Sequence, residues 1–133
     1  MSNIANNSIE QISTDKAAMP LGHYSQAIKY NDLLFVSGQL GIDPDNTTSL
    51  PKTIAQETTI VLNNLNEILI KSGTSKRNVL KVTIFISDID YWPAVNEVYA
   101  EFFGEHKPAR SAVPTKNLPK GFRVEIEAIA AIS

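Results

Sequence analysis

The stretch from Ile54 to Phe103 changes its hydrophobic period twice, and this constrains the fold more than any other feature of the chain. Between Ile54 and Ser72, the residues Ile54, Val61, Leu62, Leu65, Ile68 and Leu69 fall on one helical stripe. Thr53 with Gln56 three residues later resembles a capping box, and Gly73 suits the position just past the helix end. Ile60 and Ile70 lie off the stripe and predict a further contact on the helix flank. Val79 to Ser87 is then continuous and β-branched, with Leu80, Val82, Ile84 and Ile86 on one side and Val79, Lys81, Thr83 and Phe85 on the other. The helical period returns from about Trp92 to Phe103, with a stripe of Val95, Val98, Tyr99 and Phe102. Asp88 or Asp90 is a suitable cap, Pro93 falls in the first turn and Gly104 terminates the segment. A helix with a single apolar stripe must cover a partner on one side only, so both helices are expected on one face of a sheet.

The flanking segments supply the rest of that sheet. Ser8 to Ser13 alternates weakly through Ile9 and Ile12, and Ala17 to His23 reads as a loop. Tyr24 to Tyr30 and Leu33 to Ser37 read as strands joined by a tight Asn31-Asp32 turn, with Gly38 ending the second. Asp43 to Pro51 is a long polar loop. Ser111 to Thr115 is a short strand broken by Pro114, and Phe122 to Ile132 is the strongest strand, with Val124, Ile126, Ala128, Ala130 and Ile132 on one side. The order predicts an α+β fold: one domain over residues 1–133, with a mixed sheet of five to six strands, two helices on one face and a flexible N-terminus over residues 1–7. The other sheet face carries Phe85, Val79, Ile129 and Ala131 beside Lys81, Glu125 and Glu127. A solvent face this apolar predicts a homo-oligomer packed through the sheet.

Composition narrows the chemistry. The chain has no Cys, which removes thiolate nucleophiles, disulfides and Cys-ligated metals. Its 12 Lys and Arg against 14 Asp and Glu leave a net charge of −2, and such a chain has no positive field for nucleic acid. No apolar run approaches the ~20 residues of a membrane span. Met1 to Asp15 has no apolar signal core and no Arg, but carries Glu10 and Asp15, so a cytoplasmic protein is expected. His23 and His106 lack metal-ligand spacing, and no nucleophile elbow, phosphate-binding loop or dinucleotide fingerprint is present. Neither a metal nor an organic cofactor is therefore expected. Arginine and carboxylate remain. Of Arg77, Arg110 and Arg123, Arg77 sits in a polar loop, whereas Arg110 lies where Lys107-Pro108-Ala109 enters a strand. An arginine fixed there either clamps a small carboxylate or phosphate bidentately or makes a rim salt bridge. Glu125 and Glu127 either do acid–base work as a coupled pair or pair with Arg123 and Lys81 on a charged strand face. The residues alone leave both choices open.

Longer segments carry a resemblance. These are Ser37-Gly38-Gln39, the run Lys81 to Asp88, Val95-Asn96-Glu97-Val98-Tyr99, Phe102-Phe103, Pro108-Ala109-Arg110-Ser111-Ala112-Val113, Leu118-Pro119-Lys120 and Val124 to Ala130. In this order, from about Gly22 to Ala130, the chain resembles the Rid/YjgF family of reactive intermediate deaminases, also called liver perchloric-acid-soluble proteins. The resemblance implies a chorismate-mutase-like fold and a homotrimer whose sheets form a central barrel, with three clefts between subunits. It implies hydrolysis of 2-imino acids to 2-keto acids and ammonia without a cofactor. It assigns Arg110 to the substrate carboxylate and Glu125 to the attacking water. It places Tyr24, Ser37, Gly38, Asn96 and Ala112 around the cleft, each site being shared by two chains. His23 stands where the family commonly has Pro, Ala112 where many members have Cys, and Pro114 with residues 115–117 replaces a Glu-Val-Ala-Arg run; these departures bear on substrate range. Two rival activities accompany the resemblance: an endoribonuclease or translation inhibitor, and a non-enzymatic trimer that binds a small carboxylate.

Overall fold

The alternating and helical segments become one layered unit in the computed structural model, which describes residues 8–132. The flexible N-terminus expected over residues 1–7 lies outside the described residues. The elements are β1 (Ile9–Ile12), β2 (Ala27–Tyr30), β3 (Leu33–Leu40), α1 (Ile54–Lys71), β4 (Val79–Ile86), α2 (Trp92–Phe103), β5 (Ala109–Pro114) and β6 (Val124–Ala131). They build a 6-stranded sheet in the order β1-β2-β3-β6-β4-β5. All neighbours are antiparallel except β4 and β5, which run parallel because α2 provides the crossover between them.

Local chemistry explains the boundaries. Thr53 and Gln56 form the capping box: Gln56 N donates to Thr53 Oγ1 at 3.1 Å and Thr53 N donates to Gln56 Oε1 at 3.3 Å. Gly73, with φ of 85°, ends α1 in the left-handed region that a Cβ disfavours. The hairpin turn between β2 and β3 uses a left-handed Asn31, with φ of 53°. Leu62, Leu65, Ile68 and Leu69 of α1 and Val95, Tyr99 and Phe103 of α2 cover the sheet face that carries Leu34, Val36, Val82, Ile84, Val124 and Ile126. Truncating a leucine in such a core costs ~2–5 kcal/mol.

Five sequence expectations are corrected. Gly38 does not end β3, which continues to Leu40 through a register shift between Val36 and Gln39. A second shift, between Val79 and Lys81, turns Val79 into the core and leaves Leu80 exposed, reversing their predicted sides, since a bulge changes strand phase. The α2 N-cap is Tyr91 without a side-chain bond, because Asp88 is spent capping the preceding 3-10 turn at Asp90 N, 2.8 Å away. Phe103 rather than Phe102 is the buried aromatic at the end of α2. Ile60 is partly buried as expected, but Ile70 is open to solvent.

The uncovered sheet face is apolar, as the sequence implied, although Val79 is not on it. Tyr30, Leu33 and Phe35 remain exposed there, with Phe85, Ile129 and Val113 across the sheet. No described helix is long and apolar enough to cross a membrane.

Candidate functional site

The first half of the site forms where β3 and β6 meet. Leu40 pairs with Glu125 just beyond the β3 irregularity, and the irregularity brings Gly38 against the Glu125 side chain. A Cβ on Gly38 would lie 2.9 Å from Glu125 Cδ, so the carboxylate keeps this position only beside a glycine and would have to shift for any larger residue. Ser37 Oγ donates to Ser25 O at 2.7 Å, tying the strand to the loop that carries Tyr24. Tyr24 Oη accepts from Leu21 N at 3.1 Å. Buried Gln26 braces the same loop: its Nε2 donates to Thr14 O and Ala18 O, and its Oε1 accepts from Thr14 N. Tyr24, Ser37, Gly38 and Glu125 line a cavity of about 520 Å³, together with Glu127 and Pro119. Burial there raises the Glu125 pKa above the ordinary 4.5, and the neighbouring Glu127 charge pushes the same way.

The second half lies on β5, across the sheet. Arg110 sits opposite Val82 and therefore points to the helix side, while Glu125 sits opposite Phe85 and points to the uncovered side. The Arg110 Nη1 donates to Asn96 Oδ1 at 2.9 Å. Its guanidinium carbon lies 4.7 Å from the Trp92 ring centre and 4.9 Å from that of Tyr99. Arg110 makes no ion pair among the described residues, and its Nε and Nη2 donors keep no protein partner there. The alternative of a rim salt bridge is thus not what these residues form. Beside it opens a cavity of about 370 Å³ walled by Tyr99, Phe103, Pro108 and neighbours. Burial pushes the Tyr99 hydroxyl up to about 12 against the opposing pull of Arg110, and its Oη is buried without a described partner. Ala112 follows on the same exposed edge strand, opposite Ile84.

One chain therefore assembles the predicted residues as two groups: Tyr24, Ser37, Gly38 and Glu125 in one, Arg110 and Asn96 in the other, with Ala112 on the strand of the second. The alternative of Glu125 and Glu127 pairing with Arg123 and Lys81 does not form among the described residues. Arg123 turns instead to Glu57, with Nε 2.8 Å from Oε1. In the sequence, the one signal for Glu57 is a carboxylate one turn before Val61 on the apolar stripe. The sequence carries no signal for Trp92 and Tyr99 as partners of Arg110, because helical spacing assigns Tyr99 to the core and says nothing about a cation above it. Among the described residues no group of three or more His, Cys, Asp or Glu is placed to hold a metal ion.

The family model for Endoribonuclease L-PSP matches residues 14–132. A 2-iminobutanoate/2-iminopropanoate deaminase of Rattus norvegicus is 44% identical over 119 residues, which cover 90% of this chain and 87% of that one. The chain belongs to the Rid/YjgF family. A RutC family protein of Pyrococcus abyssi is 46% identical over 121 residues, covering 91% of this chain and 95% of its own. Among solved structures, E. coli TdcF with bound serine superposes with a TM-score of 0.89 at 35% identity, covering 93% of this chain and 99% of that one. Of the departures from the Rid/YjgF pattern, His23 is exposed and does not line the Glu125 cavity, and Pro114 closes β5 opposite Ile86, where it costs no ladder bond because β5 is an edge strand.

The Gly38 contact yields a direct expectation. Gly38→Ala displaces the Glu125 carboxylate and leaves the Arg110 group on the far edge intact. Binding of a small carboxylate should persist within about threefold while turnover falls ~10²-fold, since a misplacement of ~1 Å carries that cost. Isothermal titration with a 2-keto acid beside the turnover assay checks it; equal losses in both would contradict the separation of the two halves.

Proposed function

We propose that the protein hydrolyses small 2-imino acids to 2-keto acids and ammonia, at sites completed by a second copy of the chain within a homotrimer. The observation that carries this reading is Arg110: a guanidinium held by Asn96 and two aromatic rings, unpaired with any described carboxylate, beside a cavity. Its free N–H groups offer the fork that a carboxylate takes up in two parallel bonds. The deaminase name of the Rattus norvegicus relative and the serine in the TdcF structure support a small amino-acid-like substrate.

The chemistry asks little of the protein. A protonated imine carbon is already electrophilic, so no covalent nucleophile is needed. Arg110 anchors the carboxylate. Glu125 from a neighbouring copy takes a proton from water as the water oxygen bonds to the imine carbon. The same proton then passes to the nitrogen of the tetrahedral adduct; as the C–N bond breaks, Glu125 takes the adduct's hydroxyl proton, the C=O bond forms, and the departing ammonia accepts that proton to leave as ammonium. A glutamate whose pKa is raised by burial suits this double duty, since it is a stronger base than an ordinary carboxylate and still returns its proton. The apolar uncovered sheet face, which also carries Glu125, supports association between copies.

The test generates 2-iminobutanoate from threonine with a threonine dehydratase and traps the surviving imine with semicarbazide. Added protein should lower the trapped imine in proportion to its concentration, and sedimentation should give the mass of three chains. Undiminished trapping, with 2-keto acid still bound through Arg110, would favour the carboxylate-binding alternative.

A further inference from the structure

Helix α1 buries three polar side chains, Glu57, Thr58 and Asn64; Thr58 bonds within its own helix, to Ile54 O, whereas Glu57 and Asn64, seven residues apart, reach beyond it. Seven residues is close to two helical turns, so both lie on one line along the helix. Apolar residues would fill these positions without the desolvation that a buried carboxylate demands. Their partners account for them. Glu57 Oε2 accepts from Arg123 N at 2.6 Å and Val124 N at 2.9 Å, and its Oε1 accepts from Arg123 Nε at 2.8 Å. Arg123 is held in turn by donation of its Nη2 to Pro51 O at 2.7 Å. Asn64 Nδ2 donates to Leu40 O at 3.3 Å and Ile42 O at 2.9 Å.

The direct partners of Glu57 and Asn64 fall on two chain segments. One is the start of β6, immediately before Glu125. The other runs from the end of β3 at Leu40 to Ile42, shortly after Gly38. Leu40 and Glu125 are opposite each other in the ladder, and the β3–β6 register slips between Val36 and Gln39, so the sheet's own hydrogen bonding is interrupted beside Gly38. The helix supplies the hold that the sheet lacks there. Gly41 belongs to the same device: a Cβ on it would lie 2.6 Å from Glu57 Cγ.

We infer that Glu57 and Asn64 are positioning residues which, from one helix, set the approach of Glu125 to Gly38 and so the geometry of the proton-transferring carboxylate. The inference rests on the proposed role of Glu125 in imine hydrolysis. It separates that role from binding, because neither residue contacts the Arg110 group.

The experiment compares Glu57→Leu, Glu57→Gln and Asn64→Leu with the unaltered protein. Gln at 57 keeps an oxygen acceptor for the two amides, whereas Leu does not. With 2-iminobutanoate, Glu57→Leu and Asn64→Leu should each lower kcat by ~10–100-fold with KM within about threefold, and Glu57→Gln should recover most of the loss. A second measurement needs no turnover: a carboxyl NMR titration of Glu125. Tyr24 and Glu127 are the other titratable side chains lining its cavity, and β4 presents uncharged Phe85 and Thr83 opposite Glu125 and Glu127. Released from Gly38, Glu125 becomes more hydrated, so its pKa should fall towards 4.5 in both Leu variants. If the Leu variants do not fold, Glu57→Gln still decides through the same titration: a Glu125 value close to the unaltered protein's supports the inference, and a full fall to the ordinary value overturns it. Folded Leu variants with unchanged kcat and unchanged Glu125 titration overturn it too. An unaltered protein without turnover would defeat the hydrolytic reading, while the titration would still report on the positioning.

Discussion

Arg110→Ala should lower kcat/KM for 2-iminobutanoate by ~10–150-fold, mostly through KM. A two-point charge-assisted contact is worth ~1.5–3 kcal/mol, and each ~1.4 kcal/mol is tenfold. The fold should be unaffected, because Arg110 lies on an exposed edge strand and makes no described ion pair. Arg110→Lys should recover little. An ammonium carries the charge but cannot present parallel donors, and it does not spread flat across Trp92 and Tyr99 as a guanidinium does. Steady-state kinetics on the trapped-imine assay, with circular dichroism to verify folding, give the answer. Full activity in the folded Ala variant would remove Arg110 from the site.

Glu125→Gln should reduce kcat by ~10²–10⁴-fold, the usual worth of a positioned acid–base group, and change KM little. It should also make the protein more stable at neutral pH. Burial and the Glu127 charge raise the folded-state pKa of Glu125, so the folded chain favours the protonated form. The stability this form contributes is fully present below the ordinary glutamate range and is lost as pH rises through the raised folded value. A neutral glutamine avoids that loss. Thermal melts should therefore show Glu125→Gln above the unaltered protein at pH 7, with the difference closing under acid conditions. In the active protein, kcat/KM should rise with pH through a limb lying above 4.5, and this limb should be absent from the residual activity of the Gln variant. A Gln variant that is inactive and less stable at pH 7 would show Glu125 to be a structural carboxylate rather than a strained functional one.

Much of the architecture was legible because period and punctuation act locally. The capping box at Thr53, the stop at Gly73 and the full extent of α2 depend on residues within one turn of each other. The alternation of β6 was equally plain, since a strand buried on one face writes its register into every second residue. The two strand irregularities were not legible. A bulge depends on what the partner strand offers, and so Val79 and Leu80 exchanged sides without any local signal. Arg110 was identified through a segment of matching residues rather than through physics, because a lone arginine after a proline is equally compatible with a salt bridge.

By itself, the amino-acid sequence determined which segments are helix and strand, that both helices share one sheet face, that the opposite face is apolar, and that arginine and carboxylate carry the chemistry available. Those properties are sums over near neighbours. Tertiary structure alone decided that Arg123 serves Glu57 instead of Glu125, that Trp92 and Tyr99 support Arg110, and that Arg110 and Glu125 lie on opposite sides of the sheet. Each of these joins residues distant in the chain, through strand order and crossover, and no local pattern of hydrophobicity encodes which distant side chain a charge will meet.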